Sequence, residues 1–247
     1  MRNLTIISLA ALFALAPIAE GQSASFVVSQ HGKPVGTAGF RFVTTPFGYD
    51  STSLAHIKMQ GLDYALSKTE QLSVSNQLLD VKLNVAVNSS AASANAAPEA
   101  NSADPALVLK ISANGQQTTT RLAAHTAAVF LPDFDPGALE TLLSLAVARN
   151  SRDLWAVIPK KAGSVVAVQL ATLADEQGTL DGSPLVVHHL QATIGAAVTD
   201  LFSGPENQLL QAELPQPGFA MVRKGFVLTP SSRPGAPPPV PKDEPAN

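Results

Sequence analysis

The residues of this 247-residue chain best suited to metal or proton chemistry are five histidines: His31, His56, His125, His188 and His189. His188 and His189 are adjacent. Residues 184–194 read as a strand, so their side chains point to opposite faces and cannot share one metal. One of them could join His56 or His125 only if those strands were neighbours. A histidine hydrogen-bonded or solvated on a sheet face is the expected state. A hydrolytic triad would need His188 or His189 within reach of a serine and an acid such as Asp200. Asp133 and Asp135, two apart, could be paired acids. Yet Asp135 stands where a helix N-cap belongs, and Asp133 fits a turn. Asp175, Glu176 and Asp181 flank Gly178 and Gly182 but lack the spacing of a calcium loop. Arg223 and Lys224, between Val222 and Phe226, could receive an acidic group. The simpler expectation is that one faces solvent and the other lays its stem along a sheet edge.

Motifs that would place stronger chemistry are missing. There is no Gly-x-Ser-x-Gly, no Ser-x-x-Lys with its partners, and no Gly-rich nucleotide loop. No catalytic residue, metal ligand or cofactor is assigned, and no ligand-binding residue can be named. The chain has no cysteine, which rules out thiolate chemistry, disulfides and a Cys-linked lipid anchor. Its net charge is −3 with no basic block, so nucleic acid is not an expected partner. Charged residues are 14%, low against roughly 25% for soluble domains. Ser, Thr, Asn and Gln take their place, as in extracytoplasmic β proteins.

The elements that must position any site follow from turn chemistry and periodicity. Arg2 and the apolar run 4–18 read as a signal peptide over residues 1–25. Ala19-Glu20-Gly21 and Ser23-Ala24-Ser25 are alternative cleavage patterns. The run is too short to cross a bilayer, and no span is expected in the mature chain. Residues 26–228 read as a single antiparallel β domain. Strands are expected at 26–29, 35–44, 49–59, 62–74 and 79–87, the last with a clean period of two. Residues 89–104 are almost all Ala, Ser and Asn and read as a flexible loop. Asn88-Ser89-Ser90 also matches a glycosylation acceptor. Asn114-Gly115 predicts a type I′ hairpin between 107–113 and 116–122, whose polar return strand suits an edge or a wet concavity. Asp135 and Pro136 open the one helix, 136–149, with an apolar stripe of Leu139, Leu142, Leu143, Ala146 and Val147. Strands resume at 154–158 and 165–173. A meander of 184–194, 196–202, 209–214 and 220–228 closes the domain. Residues 229–247 are proline-dense and read as a disordered tail.

Three features resemble a known group: Gly32-Lys33-Pro34-Val35-Gly36 in an early strand, a helix following Leu131-Pro132-Asp133, and the ending 207–214 followed by Val222-Arg223. Together they resemble exported bacterial β-proteins similar to the periplasmic lipoprotein carriers (LolA/LolB-like). The resemblance spans about 26–228. It implies a sheet wrapped around helical material with an apolar concave face, and brings no catalytic motif. The expected fold is mainly β: a large curved antiparallel sheet, a half-open barrel or wrapped sheet, with one covering helix. The expected role is an exported cell-envelope protein, periplasmic or extracellular, binding a lipid or other hydrophobic small molecule. The alternatives are an interaction module that uses the proline-rich tail or the 89–104 segment, and a secreted hydrolase.

Overall fold

The computed structural model of the chain describes residues 22–99, 104–160 and 162–229. The first strands are β1 (Ser23–Gln30), β2 (Lys33–Thr45), β3 (Gly48–Met59), β4 (Leu62–Ser73) and β5 (Leu78–Val87). Then come β6 (Ser90–Pro98), β7 (Ala106–Ala113), β8 (Gln116–Ala123) and β9 (Ala128–Phe130). The helix α1 (Pro136–Ala148) leads to β10 (Leu154–Ile158), β11 (Ser164–Thr172), β12 (Glu176–Leu180) and β13 (Ser183–Ile194). The last are β14 (Ala197–Ser203), β15 (Leu209–Glu213), β16 (Phe219–Arg223) and β17 (Phe226–Leu228). Residues 1–21 of the expected signal peptide (1–25) and residues 230–247 of the expected tail (229–247) lie outside the described residues. Ser23-Ala24-Ser25 belongs to β1 and pairs with β2.

Strands β2 to β8 form one antiparallel meander, and β13 to β16 another. β1 welds them: Phe26 stands opposite Ala38 of β2 on one side and Arg223 of β16 on the other. Beyond β13 the sheet continues through β11 and β10 to β9. β9 and β10 are the one parallel pair among the described residues, and α1 is the crossover that such a pair requires. A sheet this wide curls. It does so into a barrel-like wrap whose two ends, β8 and β9, do not pair. β9 is buried throughout and packs inside against β5. β8 has a ladder on one side only, as its polar sequence suggested, and Thr120 Oγ1 donates to the Ala162 carbonyl at 2.6 Å.

Turn chemistry sets the register. His31-Gly32, Asn114-Gly115 and Asp181-Gly182 each place two consecutive residues at positive φ, the backbone of a type I′ hairpin. Alternation then sends one set of side chains inward: Tyr64, Leu66, Lys68, Glu70 and Leu72 on β4 are all buried.

Two expectations need correction. Most of the segment 89–104 is not a loop: residues 90–98 are β6, paired along its length with β5 and β7. Its inward residues Ala94 and Ala96 are buried. Ala96 lies between Val81 and Leu109, and Ala94 between Leu83 and Ile111. Large side chains on both neighbours fill the layer, and two ladders satisfy the backbone, so this strand needs no bulk of its own. Residues 100–103 lie outside the described residues. The helix also differs from a one-stripe amphipath. Only Ser144, Val147 and Ala148 of α1 are exposed, and even Glu140 and Thr141 are buried. It lies in the hollow of the sheet and is covered nearly all round.

Three more elements depart from the sequence reading. β9 and β12 were not anticipated, and residues 220–228 are two strands broken at Lys224-Gly225. The first half of β13 pairs with β12, which pairs with β17. This small flap lies on the face of β14 and β15 opposite the main core, closing over Val187, Phe202, Leu210 and Phe226.

Candidate functional site

Between β9 and α1 runs the linker Leu131-Pro132-Asp133-Phe134-Asp135, held by ring contacts, hydrogen bonds and ion pairs. Phe134 has φ +56°. A bulky residue there costs on the order of 1–3 kcal/mol and persists only where its surroundings impose it. The surroundings are visible. The Phe134 ring meets Tyr64 edge-on at 5.3 Å and Phe219 at 5.2 Å. Tyr64 donates its hydroxyl to the Asp133 carbonyl at 2.9 Å. Burial, helped by the charges of Asp133 and Asp135, pushes the Tyr64 phenol far up, so it stays a donor. Asp133 Oδ1 receives Lys160 Nζ at 2.9 Å and Gln216 Nε2 at 3.0 Å. Asp135 caps α1, accepting from the Ala138 amide at 3.1 Å.

The other oxygen of Asp135 faces a buried cation. Lys68 Nζ lies 2.7 Å from Asp135 Oδ2 and 3.0 Å from Glu70 Oε2, and the Lys68 and Glu70 side chains are fully buried. Ser53 and Ser51 stand opposite Lys68 and Glu70 on β3 and are buried too. Burial opposes the Lys68 charge, but Asp135 and Glu70 outweigh it and hold the ammonium above its ordinary value. Burial pushes the Glu70 carboxyl up, against the pull of Lys68. One cation thus faces two carboxyls, and a proton on Glu70 leaves the cluster neutral. Glu70 Oε1, Ser51 Oγ and Ser53 Oγ have no hydrogen-bond partner among the described residues. Sequence reasoning did not single out Lys68 and Glu70. The signal was the period of two from Tyr64 to Leu72, which places both on the inward face.

At the other end of the helix's second turn, Glu140 Oε2 accepts from the Leu209 amide at 2.7 Å, and Gln22 Nε2 donates to Oε1. These bonds tie α1 to β15 and to the residue before β1. Burial raises the Glu140 carboxyl as well.

The linker borders two apolar clefts. The first, about 200 Å³, lies beside α1 with walls from Leu139, Ile158, Ile194 and Met221. Its polar lining residues are Asp133, Asp135, Lys160, Gln216 and Thr199. Gln216 Oε1 is buried and accepts no hydrogen bond among the described residues. The second, about 170 Å³, lies against β4 to β7, with Leu83, Val85, Val87 and Ile111 in its wall. Pro132, Asp133 and Lys160 line both clefts and form their common wall.

The five histidines are scattered. His188 Nδ1 meets Asp175 at 3.0 Å, while His189, on the opposite face, meets Asp200 through Nε2 at 3.1 Å and Glu176 through Nδ1 at 3.3 Å. His189 also stacks on Phe202 at 4.3 Å. The Asp200 contact is one part of a triad, but the second ring nitrogen faces Glu176, leaving none to take a proton from serine. His125 stacks on Trp155 at 3.7 Å, and His56 lies 3.6 Å from Asp63 at the surface. Among the described residues no group of three His, Cys, Asp or Glu gathers to hold a metal. No described helix is long and apolar enough to cross a membrane. Asp181 sits in the β12–β13 turn, its amide bonded to the Gly225 carbonyl. Asp133 and Asp135 do fall together, as the anchors of the linker.

No family model and no curated protein matches this chain. Among solved structures it is similar to a β-barrel-like protein of the Domain of Unknown Function DUF1849 from Brucella abortus. Identity is 11% and the TM-score 0.52, over 85% of this chain and 98% of that one. At that identity the likeness bears on the fold, and the fold is barrel-like.

Proposed function

We propose that this chain is an exported cell-envelope protein that holds a lipid or other hydrophobic ligand in the cleft beside α1. The observation that carries the reading is the cleft itself: aliphatic walls inside a curved sheet, with a few polar groups converging at Asp133. A volume of about 200 Å³ is below the roughly 300–1,000 Å³ of sites for drug-sized molecules. The occupant is therefore slim, such as the end of an acyl chain. The resemblance to periplasmic lipoprotein carriers supports the same class of ligand. Export rests on the leader pattern, and removal of residues 1–21 would leave β1 whole.

The test is solvent extraction of the purified protein followed by mass spectrometry, with a thermal-shift assay against added lipid. Wild type is expected to carry lipid and to gain Tm with it. Ala197→Trp, which fills the cleft from its rim, is expected to lose both while its own melting stays cooperative. Consistently empty protein with no lipid-induced shift would sink the proposal. Deleting residues 230–247 is expected to leave lipid capture unchanged; loss of capture would move the contact to the tail.

A further inference from the structure

Building on the apolar-ligand reading, we propose a more specific ligand: a two-chain lipid with a zwitterionic, amine-bearing head group. The head sits at Asp133, Lys160 and Gln216, and one chain enters each cleft. Three observations converge. The two clefts are of similar size, about 200 and about 170 Å³, and share one wall. Chains branching from a single head at that wall fill both.

The second observation is charge. Among the described residues the wall carries the Lys160 ammonium and the Asp133 carboxylate, paired at 2.9 Å, with side-chain exposures of 59% and 31%. A phosphate turned to Lys160 and an ammonium turned to Asp133 oppose both charges. An anionic head leaves Asp133 unopposed, and a cationic head leaves Lys160 so.

The third is Gln216. Its Nε2 donates to the Asp133 carboxylate, which fixes the amide orientation and leaves Oε1 as an acceptor. Among the described residues that acceptor is buried and has no hydrogen-bond partner, a state that costs free energy until a donor arrives. A primary ammonium carries N–H donors. A trimethylammonium carries none. The site therefore favours phosphatidylethanolamine over phosphatidylcholine.

Calorimetric titration of delipidated protein with short-chain, sub-micellar lipids tests each part. Phosphatidylethanolamine is expected to bind at least about fivefold tighter than phosphatidylcholine or phosphatidylglycerol, and tighter than its single-chain lyso form. Gln216→Met is expected to bring phosphatidylethanolamine down to the affinity of phosphatidylcholine. Val87→Trp, at the rim of the second cleft, is expected to bring the two-chain lipid down to the affinity of the lyso form. Equal binding of the three head groups overturns the head-group assignment. A lyso form as tight as the two-chain lipid, with Val87→Trp silent, overturns the two-cleft placement. In both cases binding persists and the apolar-ligand reading survives. Absence of binding by every lipid defeats both.

Discussion

Lys68 is the buried cation between the Glu70 and Asp135 carboxyls. Lys68→Met strips the cation from two buried carboxyls, a change that typically costs roughly 3–5 kcal/mol. The urea midpoint is expected to fall accordingly, and a loss under 1 kcal/mol, on the order of a surface pair, would show that the cluster is not ionic. Glu70 carries a pH signature. Its carboxyl is raised above the ordinary 4.5 by burial, so the folded chain binds this proton more tightly than the unfolded one. The resulting stability is fully present below 4.5 and is lost as pH rises through the raised folded value. Glu140, raised by burial from the same 4.5, has the same sign. Glu70→Gln is expected to flatten the decline in stability above pH 4.5, measured by urea melts across pH; parallel wild-type and variant profiles would contradict it. The inward position of Lys68 and Glu70 was legible from alternation. The pairing of Lys68 with Asp135 was not, because that contact joins β4 to a linker 67 positions downstream.

At the scale of elements, the helix was legible to within a residue, cap included, because Asp-Pro and a C-terminal Arg-Asn are local signals. Its burial was not, since the sheet that wraps it comes from distant segments. Gly137 shows how close that wrapping is: an added Cβ would fall 2.4 Å from Ser53 Oγ and 3.0 Å from Phe40 Cβ. Gly→Ala in a helix ordinarily gains about 0.5–1 kcal/mol. Gly137→Ala is expected to do the reverse, costing about 1–3 kcal/mol by overpacking, with partial rescue by Ser53→Ala in the double variant. Thermal melts of the three proteins decide it, and a stabilised Gly137→Ala would refute the tight dock. The strands with large alternating residues were legible; β6 was not, because Ala, Ser and Asn carry no period. β12 was hidden by Gly178, whose bare Cα lets the Phe226 ring and Val187 approach.

The whole molecule divides into a wrapped sheet around α1 and a flap with its own small core. The two cores share strands but face opposite ways, so they can come apart separately. Phe226→Ala is expected to speed amide exchange at Glu176–Leu180 and Phe226–Leu228 while β3 and β4 keep wild-type protection. Uniform loss of protection would show one cooperative unit.

β1 has a consequence for the time course of folding. Nearly every other ladder joins strands close in sequence, so each can zip as soon as its hairpin forms. β1 pairs with β2 at once, yet its other edge must wait for β16, whose Arg223 stands opposite Phe26. Closing a loop of that span is the slow, entropy-limited step. Until it closes, both the β1 and β16 edges expose bare N–H and C=O groups that can template pairing with another copy. The strand that joins the two meanders is therefore also the point at which refolding meets aggregation, and refolding yield should fall with rising protein concentration.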